Sequence, residues 1–446
     1  MKQQHQRRRW WWARQRRRRS VVGIGGAIVV VVAAALLAAA SAAEAPNYAQ
    51  DVVLDALLNL ADGLYNHQNL SAVDSWCDPD VVVHGDGLWL PRVDFAGARW
   101  LRSIHREYFA AYSDWSCETV AAALGTPTSV AVSSSPSSPD KTNAPKYVSA
   151  FALFRWQATN TAAWRGVGPT LRKSEAWGVI EAVLWAPGSK QAAAGGLGAV
   201  AALTLRDSGL LEVREASLQR PEPALPLSAN ITTTGGGGPV FSLADELRSS
   251  PEWMPSASLR QGAVARLASV LASLAVGGGG GSSGAARMAA VAGAMAGAAT
   301  DDVVLADGTD VWGPRAPPEQ GKGAVAAWLA LWAEQRGVER AEVAASAATS
   351  TSNKVFVSFR LAVPPADDDD DEDYQGRRYR HHSLSWPSRP SYIDGVAVGV
   401  FDQSGRISRI VLFRNGSPSE TREALIGGGG WSRKEAAAVV AVDRRR

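Results

Sequence analysis

The chain has 446 residues, room for about three domains by length alone. Tracts such as Gly235–Gly238, Gly277–Gly281 and Gly427–Gly430 have no side chains to bury, however, and read as linkers or surface inserts. The formal charge is +3, but Lys2 and eight arginines from Arg7 to Arg19 crowd the N-terminus. The remainder is mildly acidic, so nothing global points to nucleic acid.

Residues 1–43 read as a leader. Behind the basic flank and Trp10–Trp12, the run Val21–Ala43 carries no charge and is long enough to cross a bilayer. It ends on Ala39-Ala40-Ser41-Ala42-Ala43, and basic flank, apolar stretch and small-residue exit are the parts of a cleavable export signal. An uncleaved anchor is the rival, because the apolar stretch is longer than an ordinary signal core. Arg18-Arg19-Ser20-Val21-Val22 loosely resembles a twin-arginine signal. The expectation is a body exported by a secretory route or into a thylakoid lumen, or tethered to a membrane through residues 21–43. Cys77 and Cys117 could pair in an oxidising compartment; the plainer reading is two small buried hydrophobes.

Past the leader, Val53, Leu54, Leu57, Leu58, Leu60, Ala61 and Leu64 predict a helix over 51–70 with one buried stripe. Ser71 is positioned to cap a second short helix to Cys77, which Pro79 stops. Asp80-Val81-Val82-Val83-His84 reads as a strand closed by Gly85-Asp86-Gly87. Gly97 opens a third helix to Tyr112, with Leu101, Ile104, Tyr108 and Tyr112 on one face. Strands follow over 117–124, 147–159, 170–185 and 199–218, with a Ser/Pro/Thr-rich hairpin tip at 125–145. Helices first and strands later is the order of an α+β fold, helices packed on one face of a bent antiparallel sheet.

The pattern then recurs. Asp80-Val81-Val82-Val83 matches Asp302-Val303-Val304-Leu305, Trp89-Leu90-Pro91-Arg92 matches Trp312-Gly313-Pro314-Arg315, and Gly97 matches Gly321. The stripe Leu101, Ile104, Tyr108 becomes Val325, Trp328, Trp332, and Phe154-Arg155 becomes Phe359-Arg360. A period near 220 residues predicts a duplicated domain. The expected organisation is a leader (1–43), a first domain (48–222), a linker (223–257), a second domain (258–426) and a tail (427–446).

The run Phe154-Arg155-Trp156-Gln157-Ala158-Thr159-Asn160-Thr161, with Trp164, Gly166, Pro169-Thr170, Arg172-Lys173 and Gly178-Val179 after it, resembles two strands of SnoaL-like proteins in the NTF2-like (nuclear transport factor 2-like) superfamily. Pro79-Asp80-Val81 with His84-Gly85, Gly97 and Ser113-Asp114 agree in order. The resemblance covers about 50–220 and, more faintly, 258–425. It implies two cone-like units, each a strongly bent sheet around about three helices with a pocket for a small, mostly apolar molecule. Relatives include cyclases and isomerases that move a proton beside a carbonyl, alongside many members with no known reaction.

The candidates for proton transfer are His84, whose imidazole exchanges a proton near neutral pH, and Asp114, where the family often has an acid. Their bland readings are a strand-end histidine bonded to the next turn and a turn aspartate capping backbone N–H groups. Thr159 and Asn160 could hold a carbonyl oxygen or stitch a hairpin. Trp89, Tyr108, Trp156 and Trp164 are candidate ligand contacts, Trp89 and Trp164 at the rim. His381-His382 point to opposite faces of a strand and Asp367–Asp373 reads as a surface insertion. No metal-ligand spacing, phosphate loop or nucleophile elbow is found, and no cofactor is expected. In the second copy His84 becomes Ala306, Asp114 falls near Val338, and Ala158-Thr159-Asn160 falls on Val363-Pro364-Pro365. Framework residues persist while polar candidates are lost. Such a degenerate copy could serve as the first unit's partner in an intramolecular pseudo-dimer.

Overall fold

The structure, a computed structural model, describes residues 48–84, 94–128, 147–163, 169, 171, 173–186, 194–207, 230–231, 241–276, 284–308, 319–364 and 391–415. The expectations for the leader, Trp89, Trp164, the Asp367–Asp373 run, His381-His382 and the tail lie outside these residues. Among the described residues no helix is long and apolar enough to cross a membrane.

Helical spacing of Val53, Leu57, Leu60 and Ala61 gives α1 (Tyr48–Ala61), whose buried stripe faces the sheet. The helix widens into a π-helical turn, Asp62–Asn66, that buries Leu64 and Tyr65. In α2 (Ser71–Trp76) the cap position falls on Leu70, one residue before the expected Ser71. Ser71 lies inside the helix, and the Asn69 side chain accepts from its N–H and hydroxyl at 3.0 and 2.6 Å. Strand β1 (Cys77–His84) starts earlier than expected and includes Pro79. The register of β1 shifts between Cys77 and Val82, so the missing proline N–H falls where no regular ladder bond is needed.

After β2 (Asp94–Ala96) the chain turns into α3 (Ala98–Ala111) at Gly97. Gly97 takes φ 96°, a left-handed value costly for a residue with a Cβ, and its N–H donates to Val81 O at 2.8 Å. Strands β3 (Ser116–Thr128), β4 (Tyr147–Thr159), β5 (Lys173–Trp185) and β6 (Val200–Asp207) form an antiparallel meander, and β1 returns parallel beside β6. A two-stranded pair, β7 (Asn230–Ile231) and β8 (Phe241–Ser242), and short helix α4 (Leu243–Arg248) precede the next run.

That run comprises α5 (Ala257–Ser273), α6 (Gly284–Ala298), β9 (Ala299–Asp307), β10 (Glu319–Gln320), α7 (Lys322–Gln335), β11 (Arg340–Ala348), β12 (Lys354–Val363), β13 (Ser391–Phe401) and β14 (Ile407–Arg414). Its strands pair in the order β10-β9-β14-β13-β12-β11, the same sequence of partners as β2-β1-β6-β5-β4-β3. The likeness extends to register and turn. Val82 pairs with Ala96 and Val304 with Gln320; Gly321 takes φ 87°, and its N–H donates to Val303 O at 2.7 Å.

The result is α+β, with one mixed sheet of twelve strands in which β3 meets β11 at the single pair Gly125–Ala347. Both runs belong to one compact unit, Pro46–Arg446. Period-two alternation explains why β4 is buried on both sides. Ala150, Ala152, Phe154 and Trp156 face the core under α1–α3, whereas Phe151 and Leu153 face a second core. Trp177 and Val179 of β5 join that second core with Phe356, Val396, Val398, Val411 and Phe413 of the later run. Phe151 and Phe356 stack there at 5.6 Å with planes 7° apart. Cys77 and Cys117 are both free. Burial, helped by Asp74 and Asp78, pushes the Cys77 thiol up to about 12, and burial also raises Cys117. They behave as the small hydrophobes of the plainer reading.

Candidate functional site

The first core does not close completely. Between α1 with its π turn, α3, the end of β1 and strands β5 and β6 lies a cavity. Apolar side chains line most of it, including Leu57, Leu60, Leu64, Leu101, Ile104, Ile180, Leu203 and Leu205. Four side chains bring polar atoms: Tyr65, His84, His105 and Tyr108. The cavity measures about 60 Å³, about two waters at their share of the liquid. It is partly open, so a larger ligand reaches solvent through its mouth.

Each polar group arrives by a different local device. His84 is the half-buried last residue of β1, carried to the cavity edge where β1 lies beside Thr204 of β6. Tyr108 and His105 share the buried face of α3 with Leu101 and Ala111. Tyr65 is supplied by the π turn, a device found often at functional sites. Its ring stacks on Trp115 at 5.7 Å and meets Trp156 edge-on at 5.8 Å.

His105 is buried, and its Nδ1 lies 2.8 Å from Leu101 O while Nε2 lies 3.1 Å from the Tyr65 hydroxyl. A carbonyl only accepts, so Nδ1 carries the hydrogen. Burial pushes the imidazole down to about 4 against the backbone bond that raises it, so the ring is neutral at pH 7. Nε2 is then an acceptor, and Tyr65 donates to it.

Of the residues singled out in the sequence, His84 and Tyr108 line this cavity. Trp156 does not; it stands behind Tyr65 and fixes that ring. Asp114 is not among the lining residues. One carboxylate oxygen accepts from the Thr159 N–H at 2.6 Å and the other from the Thr159 hydroxyl at 2.7 Å. Burial, the largest single influence, raises the Asp114 carboxyl, but the two Thr159 bonds, its own backbone N–H and the charge of Lys173 together hold it below the usual range. Thr159 is thus the partner of Asp114 rather than a second group beside His84. Asn160 is fully buried, its amide donating to Ala162 O at 3.2 Å and its backbone oxygen accepting from Leu171 at 2.9 Å. The turn geometry of 113–114 and the end of β4 accounts for these contacts. Tyr65 and His105 were missed. The signal for His105 was its spacing, four residues after Leu101 and three before Tyr108. Tyr65 carried no signal, because nothing in periodicity announces a π turn.

The corresponding place in the later run carries bulkier side chains. In the Gly97–Gly321 alignment Ile104, His105 and Tyr108 fall on Trp328, Leu329 and Trp332. Trp328 and Trp332 stack at 5.9 Å with planes 8° apart. The buried Arg414 guanidinium lies 5.3 Å from the Trp332 ring and binds Asp307 at 2.8 and 3.1 Å. Ala306 occupies the register position of His84 and packs into the core shared by the two runs.

Fold and site together describe an α+β protein with a small apolar cavity edged by two histidines and two tyrosines. No family model matches the chain, and no curated protein does. Solved structures similar to it include AclR, a candidate hydroxylase from Streptomyces galilaeus (14% identity, covering 34% of this chain and 76% of that one, TM-score 0.23). IdmH, a candidate polyketide cyclase from Streptomyces antibioticus, matches at 14% identity over 34% and 89% of the two chains, TM-score 0.22. A candidate isomerase of the SnoaL-like family from Agrobacterium tumefaciens matches at 17% identity over 34% and 95%, TM-score 0.20. These neighbours are of the type that the strand motifs resemble, but TM-scores this low carry no argument about chemistry.

Proposed function

We propose that residues 48–222 form a SnoaL-like binding domain, one cone-like unit, that takes a small apolar or aromatic molecule in an exported or membrane-tethered protein. Residues 258–426 are its degenerate counterpart, a fused packing partner that covers the apolar outer face of β4 and β5. His84 is the group that would exchange a proton with the ligand in cyclase- or isomerase-type chemistry. The single observation that supports the reading is an apolar cavity where His84 meets the buried faces of α1 and α3. Trp328 and Trp332 at the matching positions of the later run explain why one unit, rather than both, would bind. A second reading, a non-catalytic interaction module with self-filled cores, draws support from the small volume of the cavity.

A thermal-shift panel of single-ring apolar compounds separates the two. A ligand at a hundredfold excess over its dissociation constant stabilises by about 2.7 kcal/mol, a rise of a few degrees for a domain of this size. Ile104→Trp, which installs the side chain found at Trp328, is expected to abolish that rise without unfolding the protein. His84→Ala is expected to reduce it. Equal rises in wild type and Ile104→Trp would remove the cavity from the account and leave the interaction module.

A further inference from the structure

The cavity is smaller than the ligand its lining suits. Its volume of about 60 Å³ is well under the roughly 150 Å³ in which an engineered apolar cavity holds benzene. A ring that enters fully has to move part of the wall. Tyr65 stands where the wall yields most readily, on the π-helical turn Asp62–Asn66. A π turn differs from an α-helix by one step of the hydrogen-bond ladder. A one-step change moves Leu64 and Tyr65 together, and both line the cavity.

Behind Tyr65 lies Trp115. The two rings stack at 5.7 Å with planes 25° apart, and Trp115 is 5.7 Å from the Tyr108 ring as well. Both tyrosines line the cavity, so Trp115 sits behind the seam between them. Its indole Nε1 is buried and, among the described residues, has no hydrogen-bond partner. Native proteins keep few such donors, because a desolvated N–H without an acceptor is destabilising. The indole lies nearly parallel to Tyr65, so its in-plane N–H does not point into that ring's face. The Trp156 Nε1 is in the same condition, but its ring crosses Tyr65 at 70°, an arrangement in which an N–H can rest on a ring face. At the position matching Trp115 the later run has an exposed Glu339, so the framework does not need an indole there.

We infer that Trp115 is the inner end of the binding site: a ligand parts Tyr65 from Tyr108, and an uncharged acceptor oxygen at its leading end takes the Trp115 indole N–H. The lining residues include no carboxylate, lysine or arginine, so nothing there offsets a fixed charge on the ligand. This rests on the cavity reading above and adds to it a gate, Tyr65, and a ligand contact, Trp115. His84 and Tyr108 also carry hydrogens that an acceptor could take, so the test reads the indole itself.

Acetophenone and α-methylstyrene have the same shape and differ at one position, an oxygen against a CH2. Each is titrated into the full chain while the tryptophan indole N–H resonances are followed by NMR. Trp115 is assigned through its proton contacts with Tyr65 and Tyr108. Acetophenone is expected to move the Trp115 N–H downfield, and α-methylstyrene, which offers no acceptor, is not. Trp115→Phe is expected to lower the acetophenone-to-α-methylstyrene affinity ratio about tenfold, with Trp156→Phe leaving it unchanged. No downfield movement at saturating acetophenone, or a ratio that Trp115→Phe leaves unchanged, overturns the inference and assigns the acceptor to His84 or Tyr108, while the cavity reading stands. So does binding of α-methylstyrene alone. Failure of both compounds to bind overturns both readings. The wild-type resonance decides the question alone if Trp115→Phe does not fold.

Discussion

His105 shows what a buried histidine does to stability. Its folded value of about 4 lies below the ordinary 6.5, so the unfolded chain takes up a proton first as pH falls. The stabilisation is complete above pH 6.5 and is lost as pH drops toward 4. At 1.36 kcal/mol per unit the loss is on the order of 3 kcal/mol. Chemical denaturation at pH 7 and pH 4.5 should show most of this drop in wild type, and His105→Leu should lack that share of the difference. An unchanged pH dependence in the variant would mean that His105 is already charged or exposed. The sequence made His84 visible because a histidine closing a β-branched strand is conspicuous. His105 was hidden for a physical reason: helical spacing marks which face is buried, and a histidine on that face is indistinguishable from packing until its partners are known.

Among the elements, α3, β4 and β5 were legible, because 3.6- and two-residue periods leave a trace in the order of apolar residues. The π turn at Asp62–Asn66 left none, and it is what aims Tyr65. The turn after α3 was legible in kind, since an aspartate in Ser-Asp-Trp-Ser reads as a capping residue, while the resemblance placed the same residue at a pocket mouth. Its geometry favours the cap: Asp114 holds the amide and hydroxyl of Thr159 and so fastens the start of β3 to the end of β4. Two exposed bonds to a carboxylate are worth about 1–2 kcal/mol together. Asp114→Ala should therefore lower stability by about that amount in urea denaturation and leave the ligand-induced thermal shift unchanged. A loss of affinity with stability intact would return Asp114 to the site.

At the scale of the molecule, the two runs share strand order, the register of β1 with β2 and β9 with β10, and the Gly97 and Gly321 turns. The joining of the two runs was only partly legible. Apolar residues on both faces of β4 required something to cover the outer face, but not the single edge pair at Gly125 or the Phe151–Phe356 stack. Those depend on which surfaces meet, and local patterns do not encode that. The account makes the runs unequal: the first has a cavity where the second carries the stacked Trp328 and Trp332 beside the Arg414–Asp307 pair. Methyl-resolved NMR of the full chain, titrated with the single-ring apolar compound that gives the largest thermal shift, addresses this inequality most directly. The account predicts shifts at Ile104, Ile180, Leu101, Leu203 and Leu205, with Val325, Leu329, Ile410 and Leu412 unmoved. Shifts centred on the second group, or spread evenly over both, would contradict it.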